Sequence, residues 1–388
     1  MRIEKAERLK KLPPYLFAKI DKAKREAQNE GRDIIDLGVG DPDQPTPSHI
    51  VDKLHQAAGE PANQHYALDQ GMRDLRVAIA SWYRKRFNVE LDADKEILPL
   101  IGSKEGLAHL PLALINPNDV VLIPEPCYPP YRSATIFAGG RPKYLPLLEE
   151  KGFLPQLDKI NFRILAKAKL LFLNYPNNPT AAVAESDFFA RAVKFARKNK
   201  ILIAQDAAYS EITFDNYTAP SILQIKGAKD LAVEFHSLSK TYNMTGWRVG
   251  WVCGNRDIIA HLTQLKSNID SGIFQAIQVA AICALNTGPK HLDSLRKLYQ
   301  DRRDVLCAGL NSLGWKVDKP RATFYVWARL PKKYSDSIKF ARLLLDKANV
   351  IATPGVGFGP SGNNYIRFAL TVPRERLEQA SAKIKEII

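Results

Sequence analysis

The residues best able to do covalent chemistry lie in one stretch, Glu234-Phe-His-Ser-Leu-Ser-Lys240-Thr-Tyr-Asn-Met-Thr-Gly-Trp-Arg248-Val-Gly-Trp251. An apolar run, 231–235, leads into Ser237, Ser239 and Lys240. Arg248 follows eight residues after the lysine, and a second apolar run comes next. Two short buried strands flanking a polar loop fit this pattern. One amine, two hydroxyls and a guanidinium suit a lysine that bonds to a carbonyl beside an anion-binding group. A surface loop carrying ordinary cations is the competing reading, and this stretch alone does not choose between them.

Other groups fall at comparable places. Asp206 ends the apolar run 201–205, where a carboxylate could pair with a protonated ring nitrogen. Tyr209, three residues on, and Asn178 in Asn174-Tyr-Pro-Asn-Asn-Pro-Thr180 could donate to a phenolic oxygen. An ordinary turn explains Asn-Asn-Pro-Thr equally well. Ile101-Gly102-Ser103-Lys104 joins a strand to a helix. A Gly-Ser step at a helix start binds phosphate through backbone N–H groups and the helix dipole, though it also serves as a plain cap. Ser237, Ser239 and Arg248 would add donors to the same phosphate. Tyr128, between prolines, could stack on a flat ring or simply pack a turn. Arg367 interrupts the apolar run 365–370. A bidentate fork to a carboxylate would explain it, as would a structural ion pair on an edge strand. Taken together, these groups are what pyridoxal 5′-phosphate (PLP) asks of a protein: an amine, an acid at the pyridine nitrogen, donors at the phenolic oxygen, a phosphate cup and a flat partner. Gly355-Val-Gly-Phe-Gly-Pro360 resembles a dinucleotide fingerprint only in its glycines, and it ends in proline late in the chain, which argues against a Rossmann site.

Composition narrows the classes. The chain has 388 residues, 45% hydrophobic and 25% charged, enough for a large core and two domains. Net charge is +15, but the cations are dispersed among acids. We therefore expect no nucleic-acid partner, and a surface that attracts small anions. No apolar run reaches membrane-spanning length, so no membrane partner is expected. The N-terminal residues lack an apolar signal core, which predicts a cytoplasmic protein. The four cysteines are widely spaced, without a CxxC pair, and no HExxH occurs. Neither a disulfide framework nor a metal is expected.

The elements that must position these groups read as α/β. Short apolar runs at 97–101, 120–123, 142–145, 170–173, 201–205, 232–236 and 249–253 predict seven strands covered on both faces. Helical stretches between most of them, such as 185–199, favour a mainly parallel sheet. Ligands then bind beyond the strands' C-terminal ends, where the candidate residues fall. Beyond about 255 the pattern predicts helix over 275–313, broken at Gly288-Pro289, then strands at 324–328 and 365–370 and a C-terminal helix from Pro373. This reads as a smaller α+β domain completed by the N-terminal segment, with 45–285 as the large domain and 1–44 plus 286–388 as the small one. Two prolines in Leu12-Pro-Pro-Tyr-Leu-Phe17 predict an extended piece carrying Tyr15 and Phe17.

Nearly the whole chain resembles class I aminotransferases of PLP fold type I. By that resemblance Lys240 is the lysine that carries PLP and later moves the proton. Asp206 partners the pyridine nitrogen, and Asn178 and Tyr209 serve the phenolic oxygen. Ser103, Lys104, Ser237, Ser239 and Arg248 surround the phosphate. Tyr66, in His65-Tyr-Ala-Leu-Asp-Gln-Gly71, matches a tyrosine that reaches the neighbouring subunit's phosphate, which implies a homodimer with shared active sites. Arg367 matches the arginine for the substrate α-carboxylate. Ala181 departs from the family, which usually continues Asn-Pro-Thr with Gly; the departure alters a turn.

A narrower resemblance, to LL-diaminopimelate aminotransferases, rests on 12–17, 36–47, the 234–251 run and Lys266-Ser-Asn-Ile-Asp-Ser-Gly-Ile-Phe-Gln275. It implies substrate contacts from Tyr15, Gly40, Lys104, Tyr128, Asn178 and Arg367, and from Asn268 across a dimer. The implied reaction takes the amino group of LL-diaminopimelate to 2-oxoglutarate, so the ligands are amino and oxo acids. Related enzymes with similar motifs use alanine or aspartate, and a PLP lyase on the same scaffold is a further alternative. A PLP-binding transcription factor would need a DNA-binding domain that about thirty residues before the 34–38 strand cannot supply.

Overall fold

A computed structural model of the chain describes all residues except 1–2, 13–15 and 68–69, and leaves out the side chains of 16–19. Its centre is a seven-stranded sheet in the order Ile97–Leu100, Gly250–Gly254, Ala232–Ser237, Leu202–Asp206, Ala168–Asn174, Val120–Glu125, Arg141–Pro146. All seven expected strands are present. Gly250–Gly254 runs antiparallel to both its neighbours, and the other pairs are parallel.

Alternation explains why the strands read as unbroken apolar runs. Val121, Ile123, Leu170, Phe172, Ala204, Val233 and Phe235 face one core. Leu122, Leu171, Leu173, Ile203 and Ala232 face the other. Each face is covered by helices, so both sets of side chains are buried. Leu107 and Leu110 of Ser103–Leu114, with Ile258 and Leu262 of Arg256–Ser267, cover the first. Arg73–Phe87, Ser186–Asn199 and Gln275–Leu285 supply side chains to the second. Asn255 starts its helix by accepting the N–H groups of Asp257 and Ile258.

The topology gathers the polar ends. Asp206, Asn174, Ser237 and Glu125 close parallel strands at one edge of the sheet. Ile97–Leu100 is parallel to these, so Gly102 and Ser103 leave at that edge. Gly250–Gly254 runs oppositely, so Arg248 enters from the same edge.

A third core surrounds a three-stranded antiparallel sheet ordered Thr353–Pro354, Tyr365–Ala369, Tyr325–Arg329. Ile35 and Leu37 join it, and Ile35–Asp36 pairs in parallel with Val350–Ile351. The predicted helix over 275–313 divides into Gln275–Leu285 and Lys290–Ser312, and Arg374–Ile384 follows Pro373. Arg367 lies on the central strand of the small sheet, so the edge-strand reading fails. Leu16–Asn29 is helical, so the backbone at Phe17 is not extended. Among the described residues, no helix is long and apolar enough to cross a membrane.

Candidate active site

A cavity of about 1010 Å³ opens at that edge of the large sheet. Lys240 stands in it, on the short helix Leu238–Thr241 that follows Ala232–Ser237. Ser237 caps this helix by accepting the Ser239 N–H at 3.1 Å. The Lys240 Nζ donates to the Gly40 carbonyl at 2.7 Å and lies 5.5 Å from the Phe324 ring centroid. Burial, which disfavours the charged amine, pulls its pKa down to about 8; Arg367 and Arg248 add to this and Asp41 opposes it. A desolvated lysine of this kind is a nucleophile near neutral pH.

Asp206 ends Leu202–Asp206 and is 5% exposed. The Tyr131 hydroxyl donates to its Oδ2 at 2.7 Å, and the Ala208 N–H to its Oδ1 at 3.3 Å. Burial pushes the carboxyl up to about 6, against the pull of the Tyr131 bond, the Ala208 N–H and His236. Tyr131 is held by stacking on Phe172, centroids 4.7 Å apart and planes 13° apart. The sequence reading missed Tyr131. Its signal was the spacing Tyr128-Pro-Pro-Tyr131, which sets two aromatics one turn apart on a helix start.

The turn leading into Ser103 is fixed by a glycine and by a side-chain hydrogen bond. Gly102 precedes Ser103–Leu114 at φ 75° and ψ 150°, and a Cβ there would lie 2.3 Å from Arg248 Nη2. Glycine is needed for both reasons. Arg248 donates to the Thr245 carbonyl at 2.8 Å. Glu105 fixes the turn by accepting the Ile101 N–H at 2.7 Å. Buried Lys266 bridges Glu105 at 3.3 Å and Asp270 at 2.5 Å. Ser103, at the N-terminus of Ser103–Leu114, lines the cavity together with Ser237, Ser239 and Arg248; a helix start, hydroxyls and a guanidinium are groups that bind phosphate.

Arg367 is 3% exposed. Its Nη1 donates to Asn178 Oδ1 at 2.7 Å and its Nη2 to the Gly38 carbonyl at 2.9 Å. The guanidinium lies 4.0 Å from the Tyr325 ring centroid and 4.7 Å from that of Phe358. Its Nε is buried without a hydrogen-bond partner. Such a cation is arranged for an anionic ligand. Tyr325 also shares a 2.9 Å hydrogen bond with the Tyr209 hydroxyl. Gly40 passes so close that an added Cβ would lie 2.0 Å from the Tyr325 oxygen. Ala181 holds φ at 57°, a left-handed conformation that costs an alanine about 1–2 kcal/mol. That is the physical content of its departure from glycine.

The cavity brings together Gly40, Ser103, Lys104, Tyr128, Asn178, Asp206, Tyr209, Ser237, Ser239, Lys240, Arg248 and Arg367, all singled out from the sequence. Tyr66, 89% exposed, and Asn268, whose amide donates to the Gln264 carbonyl at 2.8 Å, are not among its lining residues. Tyr15 lies outside the described residues. Tyr325, Phe358, Asp41 and Arg132 line the cavity and were not singled out as site residues from the sequence.

The family model for aminotransferase class I and II matches residues 32–384. The chain is 51% identical over 387 residues to an LL-diaminopimelate aminotransferase of Moorella thermoacetica, covering 100% of this chain and 99% of that one. It is 52% identical to an LL-diaminopimelate aminotransferase of Syntrophobacter fumaroxidans over 387 residues, with both chains fully covered. Among solved structures it is similar to substrate-bound BacF from Bacillus subtilis, with TM-score 0.96 and 38% identity over 100% of this chain and 98% of that one. The chain belongs to the class I and II aminotransferases.

Proposed function

Starting from that membership, we propose that the chain is a PLP-dependent aminotransferase that moves an amino group from LL-2,6-diaminopimelate to 2-oxoglutarate. The products would be glutamate and an oxo acid that cyclises on its own distal amine to tetrahydrodipicolinate. Full-length similarity to enzymes named for that substrate supports the choice of donor. The observation that carries the chemistry is Lys240: a half-buried amine with its pKa drawn toward neutrality, in the cavity that also holds Asp206 and Arg248.

The residues fit the cofactor. Gly102 and Arg248 form a cradle that a single Cβ would fill, and Arg367 Nε is a buried donor left over for the substrate's carboxylate rather than for the cofactor. PLP, when bound, supplies an aldehyde that takes up the substrate amine and a pyridine ring that draws electrons from Cα. Lys240 Nζ would hold the aldehyde and, once released, carry the Cα proton. Asp206 would keep the ring nitrogen protonated, with Tyr131 holding its carboxylate in place. Asn178 Oδ1 is already taken by Arg367, which leaves its amide N–H groups, with the Tyr209 hydroxyl, for the phenolic oxygen. Tyr128 would lie against the ring. Ser103, Lys104, Ser237, Ser239 and Arg248 would hold the phosphate. Arg367 would take the α-carboxylate, with Gly40, Lys104, Tyr128, Asn178 and Tyr15 around the rest of the substrate.

We read the functional unit as a homodimer. The exposure of Tyr66 and Asn268, away from their own chain's cavity, supports their service to the partner's site. The separate core around the small sheet supports a large domain at 45–285 and a small one from 1–44 and 286–388. Steady-state assays with 2-oxoglutarate and a panel of donors test the reading. LL-diaminopimelate should give the highest kcat/KM, the meso isomer a low one and lysine almost none, since a site built for the distal groups is left with unpaired polar atoms by the wrong analogue. A higher value for alanine or aspartate would overturn the choice of donor. Turnover without an oxo-acid acceptor would overturn transamination.

A further inference from the structure

Guanidiniums kept from solvent in this chain are usually paired. Among the described residues, the buried and half-buried Arg32, Arg76, Arg86, Arg296, Arg302, Arg303 and Arg376 each have a carboxylate within 4.0 Å. Two others, Arg367 and Arg132, have none, and both line the cavity. An unpaired, partly desolvated cation is costly unless an anion completes it. The fold therefore holds two guanidiniums in one cavity in the state that an anionic ligand would relieve.

Arg132 sits on the helix Pro130–Phe137, directly after Tyr131 and four residues after Tyr128. The Tyr144 hydroxyl lies beside it, a neutral neighbour. Tyr131 turns inward to Asp206. One residue on, Arg132 is rotated by about 100° around the helix, as 3.6 residues per turn require. The cavity it lines also takes in Phe137 of the same helix, Pro360 and half-exposed Ile338.

The charges in the cavity leave a place for it. Its cations are Lys104, Arg132, Lys240, Arg248 and Arg367, against the carboxylates of Asp41 and Asp206. On the reading above, Lys240 is the reacting amine, Arg248 belongs to a phosphate and Arg367 to the α-carboxylate. Exposed Lys104 serves the phosphate and the substrate on that same reading, so Arg132 alone has no assigned role.

We infer that Arg132 is the specificity residue for the second carboxylate of a dicarboxylic substrate. The inference rests on the aminotransferase reading and deepens it. Donor and acceptor, an amino diacid and a shorter oxo diacid, share that second carboxylate at different distances from the reacting carbon. A planar fork on a long, half-buried side chain can meet both without a second site.

The test uses the holoenzyme and its Arg132→Gln and Arg132→Lys variants. Calorimetry measures binding of glutarate, a five-carbon dicarboxylate, against valerate, the monocarboxylate of equal length, neither of which reacts. Steady-state assays compare glutamate with norvaline as donors. Arg132→Gln should weaken glutarate about ten- to hundredfold, the loss of one charge-assisted pair, and weaken valerate far less. The glutamate-to-norvaline ratio of kcat/KM should fall by a similar factor. Arg132→Lys should restore part of both. Equal losses for glutarate and valerate, or glutarate binding as tight as in the native protein, would overturn the inference. The outcome is separable from the choice of donor. Inactivity toward LL-diaminopimelate with glutarate binding still lost in Arg132→Gln sinks only that choice. Turnover of LL-diaminopimelate with glutarate binding indifferent to Arg132→Gln sinks only the role of Arg132.

Discussion

Gly102→Ala should loosen the cofactor by displacing a side chain that belongs to another loop. The backbone at φ 75° and ψ 150° lies where little but glycine goes, so a side chain there costs about 1–3 kcal/mol. That strain weighs on free and cofactor-bound protein alike and appears as lost stability. The affinity effect has a different source. The new methyl would stand 2.3 Å from Nη2 and 2.9 Å from Cζ of Arg248, far inside contact distance, so the guanidinium must leave. Losing one charge-assisted bond to phosphate costs about 1.5–3 kcal/mol, or about ten- to hundredfold in Kd. PLP titrations of the apoprotein would compare the native chain, Gly102→Ala, Arg248→Ala and the double variant. If the methyl acts by moving Arg248, it should cost little affinity once Arg248 is gone, so the two losses should not add. Additive losses, or native affinity in Gly102→Ala, would refute the cradle.

The folded apoprotein keeps Asp206 protonated up to pH about 6, whereas the unfolded chain ionises it near pH 4. The folded state therefore binds the extra proton between these values, and its stability should fall, by up to about 3 kcal/mol, as pH rises from about 4 to about 6. Tyr131→Phe removes a bond that favours the ionised form, so the fall should continue to higher pH; urea titrations at several pH values giving the same profile for both proteins would reject this role. Inactive Tyr66→Phe and Lys240→Ala chains, mixed and reassembled, should regain activity in heterodimers that hold one intact site, and no recovery despite proven subunit exchange would place both residues in one chain's site.

The large sheet was legible because each strand is covered on both faces and so reads as a plain apolar run, as in Leu170–Leu173 with Leu170 and Phe172 on one side and Leu171 and Leu173 on the other. The residues just after these runs, Asp206, Ser237 and Gly102, were legible for the same reason: the strand ends are where such a sheet presents ligand-binding groups. The surroundings of Arg367 were not. Asn178 stands 189 residues from it in sequence, and Tyr325 and Phe358 enclose its guanidinium from two different loops and strands. Nothing local in 364–370 signals such partners. The Lys266–Glu105 bridge spans 161 residues and was hidden likewise, although both stretches had been noticed. Arg132 was overlooked because dispersed cations abound in a chain of net charge +15, and only the absence of an acid beside it sets it apart. Tyr66 and Asn268, singled out only through the family resemblance, are exposed and do not line the cavity of their own chain.

The account stands on Lys240 as the residue that carries PLP. Borohydride reduction of the holoenzyme, then proteolysis and peptide mass mapping, should find the pyridoxyl group on Lys240, with exposed Lys104 and buried Lys266 unmodified. A pyridoxyl group on Lys104 or Lys266, with Lys240 unmodified, would contradict it.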